Sequence, residues 1–150
     1  MKKKFFLDLC REKIVIMDGA TGTELAKSGL SSGVCPEQWI IENPVHIHNL
    51  QRKYEESGSH IVFAPTFGCN RIKLKEFGLE SNLKEMNRKL VEISKKSVKK
   101  AYVFGDMTTT GQFVEPNGST SFEEMISVYK EQAVSLIDSG VEGFVIETMI

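Results

Sequence analysis

Three carboxylates stand directly behind short apolar runs. Asp18 follows residues 14–17, Asp106 follows residues 102–104 and Gly105, and Glu147 follows residues 143–146. A further run, residues 61–64, leads into Pro65 and Thr66. In a parallel barrel such strand ends converge on one mouth, so three carboxylates and several hydroxyls would point at one spot. A single polar residue behind a strand is usually a helix cap or a loop hydrogen bond. Four apolar runs of four ending this way is a pattern that capping alone does not require. Gly19 and Ala20 follow Asp18, with Gly22 and Gly68 nearby, and glycines let backbone N–H groups approach a small anion. The spacing is neither GxGxxG nor a P-loop with its Lys-Ser/Thr pair.

The remaining reactive types read as structural. His46 and His48 lie two apart on an expected helix and point to different sides, and His60 precedes a strand. Cys10, Cys35 and Cys69 are odd in number, widely spaced and without a CxxC pair, so they suggest neither a disulfide framework nor a metal knuckle. Cys69 stands near the rim with no histidine beside it and reads as a packed thiol. Trp39 reads as core packing. The pairs Lys95-Lys96 and Lys99-Lys100 read as a solvated helix face.

The apolar runs at 14–17, 61–64, 102–104 and 143–146 do not alternate with polar residues, which suits parallel strands buried on both faces. Helical periods fall between them. Residues 44–57 open with Asn43 as cap and Pro44 at the first position, and Gly58 closes them. Residues 82–99 follow a Ser81 cap and carry a stripe of Leu83, Met86, Leu90 and Ile93. Residues 122–138 begin with Ser121-Phe122-Glu123-Glu124, a capping-box pattern, and stop before Gly140. Extra length falls after the strands, at 19–43, 67–80 and 107–120, where parallel α/β folds carry function.

This order, β-α-β-α-β-α-β, implies a right-handed parallel sheet. No helix follows the fourth run, and an uncovered edge strand is a liability. The expectation for residues 1–150 is an α/β fold forming the N-terminal half, about four βα units, of a (βα)8 TIM barrel. An open four-stranded sheet is the alternative. Composition agrees with a globular chain: 150 residues, 41% hydrophobic, 26% charged and a formal net charge of -1. That charge offers no basic field to nucleic acid or anionic lipid. No apolar run nears the roughly 20 residues needed to span a bilayer. The start, Met1 to Leu7, resembles a signal peptide, but Asp8, Cys10, Arg11 and Glu12 interrupt it. A lead-in amphipathic helix and a cytoplasmic location are expected.

Four ordered motifs resemble the homocysteine S-methyltransferase family. They are Met17-Asp18-Gly19-Ala20-Thr21-Gly22-Thr23-Glu24-Leu25, then Pro65-Thr66-Phe67-Gly68-Cys69-Asn70-Arg71, then Gly105-Asp106 with Thr110-Gly111 and Pro116-Asn117-Gly118-Ser119-Thr120, then Phe144-Val145-Ile146-Glu147-Thr148-Met149. The likeness is closest to the homocysteine-binding module of the cobalamin-dependent members. It implies a (βα)8 barrel in which zinc, held by three cysteine thiolates, activates the homocysteine thiol for attack on the methyl group of methylcobalamin. By that likeness Asp18 and Glu147 face the substrate ammonium, the Gly19 backbone and Thr66 take its carboxylate, and Ala20 and Asp106 line the site. Cys10, Cys35 and Cys69 do not match the family's zinc cysteines, so no metal ligand and no catalytic residue is assigned here. Neither zinc nor methylcobalamin is expected to bind residues 1–150 alone. Met107 to Gly111 and Pro65 depart from the common family pattern.

The implied partners are homocysteine and a corrinoid-carrying module or protein. Betaine- or S-methylmethionine-dependent transfer is one alternative. A half-barrel that self-associates through open sheet edges, or binds a small molecule without catalysis, is another. Aldolase- or isomerase-like chemistry is disfavoured, because no strand ends in Lys or His.

Overall fold

A computed structural model describes residues 3–149. Strands β1 (Ile61–Ala64), β2 (Tyr102–Met107) and β3 (Gly143–Ile146) form a parallel sheet in the order β1-β2-β3. Ile61 pairs with Tyr102, and Phe104 with Gly143, which sets the register. Helices precede and join the strands: α1 (Lys3–Glu12), α2 (Gly22–Lys27), α3 (Pro36–Glu42), α4 (Pro44–Glu56), α5 (Arg71–Lys75), α6 (Leu83–Ser97) and α7 (Phe122–Asp138). None of these helices is long and apolar enough to cross a membrane.

The expected first strand is corrected. Residues 14–16 are extended without laddering, and Met17 alone forms a parallel bridge, to Ile61. The segment still runs beside β1, since the Asp18 N–H donates to the Ile61 carbonyl at 2.9 Å and the His60 N–H to the Ile16 carbonyl at 2.7 Å. Apolar content implied burial on both faces, but Ile14 is 86% exposed. No second strand flanks this segment among the described residues. The same holds at β3, where burial alternates and Phe144 and Ile146 are exposed.

Between sheet and helices lies one core, built from Val62, Ala64, Val103 and Met107 against Val91 and Leu136. Gly105 permits this contact, because a Cβ there would lie 2.9 Å from Leu136 Cδ1. A second core joins Leu25, Ile40, Ile47, Cys69, Leu74, Met86 and Leu90 across the helices. Trp39 packs partly buried on this cluster and stacks on His46, with ring centroids 5.0 Å apart. His48 meets Ser97 Oγ at 2.9 Å, and His60 Nδ1 accepts the Ile16 N–H at 3.1 Å. All three histidines therefore serve packing.

Helix punctuation explains several boundaries. Pro44 opens α4, and Gly58 follows its end at φ 106°. The Asn43 side chain does not cap α4 and instead donates back to the Trp39 carbonyl at 3.0 Å. Ser81 is not the cap of α6: it lies inside a 3-10 turn, Glu80–Asn82, which feeds directly into the helix. In α7, Ser121 Oγ accepts the Glu124 N–H at 3.1 Å. Ser121→Ala is expected to cost about 1 kcal/mol, read as a lower urea midpoint at an unchanged slope. A midpoint equal to wild type would show that this cap contributes nothing.

Buried amides fix the end of β1. Gln51 Nε2 donates to the Phe63 carbonyl and Gln132 Nε2 to the Thr66 carbonyl, both at 2.8 Å. Asn87 Nδ2 reaches the Cys69 carbonyl at 3.0 Å. Each of these buried amides donates to a carbonyl at this end of the strand, and slippage of the backbone would leave those donors unpaired as well as the amide oxygens that already lack partners among the described residues.

Candidate functional site

The carboxyl ends of the strands open onto a cleft of about 540 Å³. Asp18, Gly19, Ala20, Asp106 and Glu147 all line it. The parallel register is what gathers them, since parallel strands present all their carboxyl ends on one side. The cleft is also lined by the apolar side chains Leu25, Leu30, Ile40, Phe63 and Phe67. Its acids suit a cation and its apolar side chains a short aliphatic chain.

Asp18 is fixed by the Phe63 N–H, which donates to Oδ2 at 3.0 Å. Its Oδ1 is buried and has no partner within the protein. Burial pushes the carboxyl up to about 6, against the pull of the Phe63 hydrogen bond and with repulsion from Glu147 adding to the rise. Asp106 is only 6% exposed, and its Oδ1 is likewise unpartnered. Burial first, then the negative charges of Glu147 and Asp18, push Asp106 up to about 7. These carboxyls feel one another, and Asp106 is the one that still holds a proton close to neutral pH. An arriving ammonium would offset the repulsion and give the free oxygens a donor. Thr148, next to Glu147, adopts φ 54°, a backbone that β-branched residues avoid and that gathers at ligand sites.

Thr66 is placed apart from the cleft. Its side chain is fully buried, and its hydroxyl closes a reciprocal pair with β2. Oγ1 donates to the Asp106 carbonyl at 2.8 Å and accepts the Asp106 N–H at 3.0 Å. In this arrangement Thr66 holds the acid-bearing strand from beneath.

The glycines also take local roles. Gly22 begins α2. A Cβ at Gly19 would lie 3.0 Å from the Tyr54 hydroxyl, which donates to the Ala20 carbonyl at 3.0 Å. At Gly68 the expected anion is supplied by the protein: its N–H donates to Glu37 Oε1 at 2.8 Å. Glu37 lines the cleft and is buried, and sequence reasoning missed it. The stretch 19–43 read as loop, whereas it folds into α2 and α3, and Glu37 sits in the first turn of α3.

The cysteines do not make a metal centre. Cys10 is exposed on α1, while Cys35 and Cys69 are buried. Burial pushes Cys35 up to about 11 and Cys69 well above the usual thiol range, so both keep their protons. Among the described residues, no group of three or more His, Cys, Asp or Glu side chains is arranged to hold a metal ion. These residues do not fit a thiolate zinc site.

Residues 15–150 match the family model for homocysteine S-methyltransferase. Methionine synthase of Mycobacterium tuberculosis (strain ATCC 25618 / H37Rv) is 26% identical over 155 aligned residues, covering 95% of this chain. Methionine synthase of Mycobacterium leprae (strain TN) is 25% identical over the same share. The chain spans 13% of the length of each. The metallated form of the homocysteine methyltransferase MmuM from Escherichia coli superposes with a TM-score of 0.76 at 20% identity, covering 95% of this chain and 56% of that one. Its oxidized form gives 0.75 at 21% identity, covering 91% of this chain and 53% of that one. The α/β architecture with its parallel sheet is therefore that of a homocysteine methyltransferase fold, and by the span of the matching model this chain belongs to the homocysteine S-methyltransferase family.

Proposed function

We propose that residues 1–150 form the N-terminal half, about four βα units, of a (βα)8 barrel that binds homocysteine for conversion to methionine. The convergence of Asp18, Asp106 and Glu147 on one cleft that apolar side chains also line carries this reading. Asp18 and Glu147 hold the ammonium, and the partnerless Asp18 Oδ1 offers it an acceptor. The Gly19 and Ala20 backbone receives the carboxylate, while Asp106 completes the acidic wall. Thr66 contributes by securing Asp106. Leu25, Leu30 and Ile40 give the two methylene groups a dry surface.

Thiol activation and the methyl donor, zinc and methylcobalamin in this proposal, are assigned to parts of the protein outside these residues. The corrinoid is carried by a separate module or partner protein, and the protein works in the cytoplasm. The exposed Ile14 and Ile16 at one sheet edge and Ile146 at the other are where further strands, or a second copy, would seat.

Calorimetric titration tests the binding assignment. L-homocysteine is expected to bind, and its analogue without the amino group, 4-mercaptobutanoate, to bind at least about tenfold more weakly. Asp18→Asn and Glu147→Gln should each weaken L-homocysteine by roughly 10- to 100-fold, the worth of a charge-assisted contact. Affinity should also fall as pH drops through 7 and 6, where Asp106 and Asp18 take up protons. Equal affinity for the two compounds would refute the ammonium site.

A further inference from the structure

We propose that Glu37 is a positioning residue that sets the depth of the cleft and thereby its selectivity for side-chain length, an inference that rests on the homocysteine reading above. Glu37 is 6% exposed, yet its carboxylate lines the cleft. Both of its oxygens are engaged. Oε1 accepts the Gly68 N–H at 2.8 Å, and Oε2 accepts the Cys35 thiol at 3.4 Å. A buried carboxylate that spends its oxygens inside the protein is poorly suited to a ligand and well suited to holding a loop.

The loop it holds matters to the cleft. Pro65 and Phe67 form part of the apolar wall, and Gly68 follows directly. Phe67 is 40% exposed. The clamp is also sterically matched: a Cβ at Gly68 would come within 2.9 Å of Glu37 Oε1. A side chain at Gly68 would have to displace the Glu37 carboxylate from its contact with the Gly68 N–H. Asn87 also holds the neighbouring Cys69 carbonyl, and of the two side chains Glu37 is the one that lines the cleft. A ligand chain one methylene shorter would then leave part of this wall uncovered.

The test compares L-homocysteine with L-cysteine by calorimetry in the full chain, alongside hydrogen exchange at the Gly68 amide. Wild type should favour homocysteine by at least about tenfold, the lower bound for one methylene in a shaped apolar pocket. Glu37→Ala should bring the two affinities within about threefold and speed Gly68 exchange. Glu37→Gln keeps an oxygen for the Gly68 N–H and should retain the wild-type ratio within about threefold. Gly68→Ala, which disturbs the same contact from the opposite partner, should narrow the ratio as Glu37→Ala does. A merely structural role would weaken both ligands together and leave the ratio alone, and that result would overturn the proposal. Should wild type bind neither amino acid, the homocysteine reading falls, and the exchange data then decide the clamp. Faster Gly68 exchange in Glu37→Ala but not in Glu37→Gln would uphold it, and unchanged exchange in both would sink it.

Discussion

Asp106→Asn is expected to be more stable than the parent chain at pH 8, by about 4 kcal/mol, and equal to it near pH 4. The cause is the cost of charging a carboxyl that is 6% exposed and faces two other acids. Its value in the fold is about 7, against 3.8 for the free side chain. At about 1.4 kcal/mol for each pH unit, that difference gives the figure quoted. Between these two values the folded chain binds more protons than the unfolded chain. Stability is therefore fully present below about pH 4 and is lost as pH rises through about 7. Asn does not titrate, so the variant should lack this portion of the slope. Asp18, raised to about 6, adds a smaller loss of the same sign over a lower window. Urea titrations from pH 4 to 8 measure both. A parent chain that gains stability over this range would contradict the buried acidic cluster. Stability given up at neutral pH is a common accompaniment of a site prepared for a ligand.

Thr66→Val should lower stability by roughly 2–5 kcal/mol at any pH. Valine matches the shape of threonine but removes the oxygen that bonds both backbone groups of Asp106. Each buried backbone group left unpaired costs about 1–3 kcal/mol. Thr66→Ser keeps the oxygen and should recover most of the loss, apart from about 1 kcal/mol for the missing methyl group. A valine variant within about 0.5 kcal/mol of wild type, the usual size of a surface substitution, would show that the hydroxyl is not holding β2.

How far the sequence announced this arrangement depended on the range of the signal. Helix α7 was legible at both ends because Ser121 and Gly140 mark it locally. The shorter α3 has seven residues, too few to display a helical period, so its loop-like reading concealed Glu37. A glutamate in the first turn of a helix ordinarily reads as a solvated charge. The Gly68 N–H that engages it lies 31 residues further on. Asp18, Asp106 and Glu147 were legible as a set because each follows an apolar run, and parallel strands bring such positions together. Thr66 shares that position along its strand. Which way its hydroxyl faces is settled by a partner 40 residues away, and no local pattern carries that information. The segment 14–17 shows the converse error. Its apolar composition declares a preference for burial, but burial needs neighbours, and Ile14 and Ile16 remain exposed.

The most direct test of the central claim is carbon-detected NMR titration of the Asp18 and Asp106 carboxyls, with and without saturating L-homocysteine. In the free chain their midpoints should fall near 6 and 7. With the amino acid bound, both should move down by at least about one pH unit, because a neighbouring positive charge favours the ionised form. Midpoints that stay in place on binding, or rise, would mean that the ammonium group does not enter the acidic cleft.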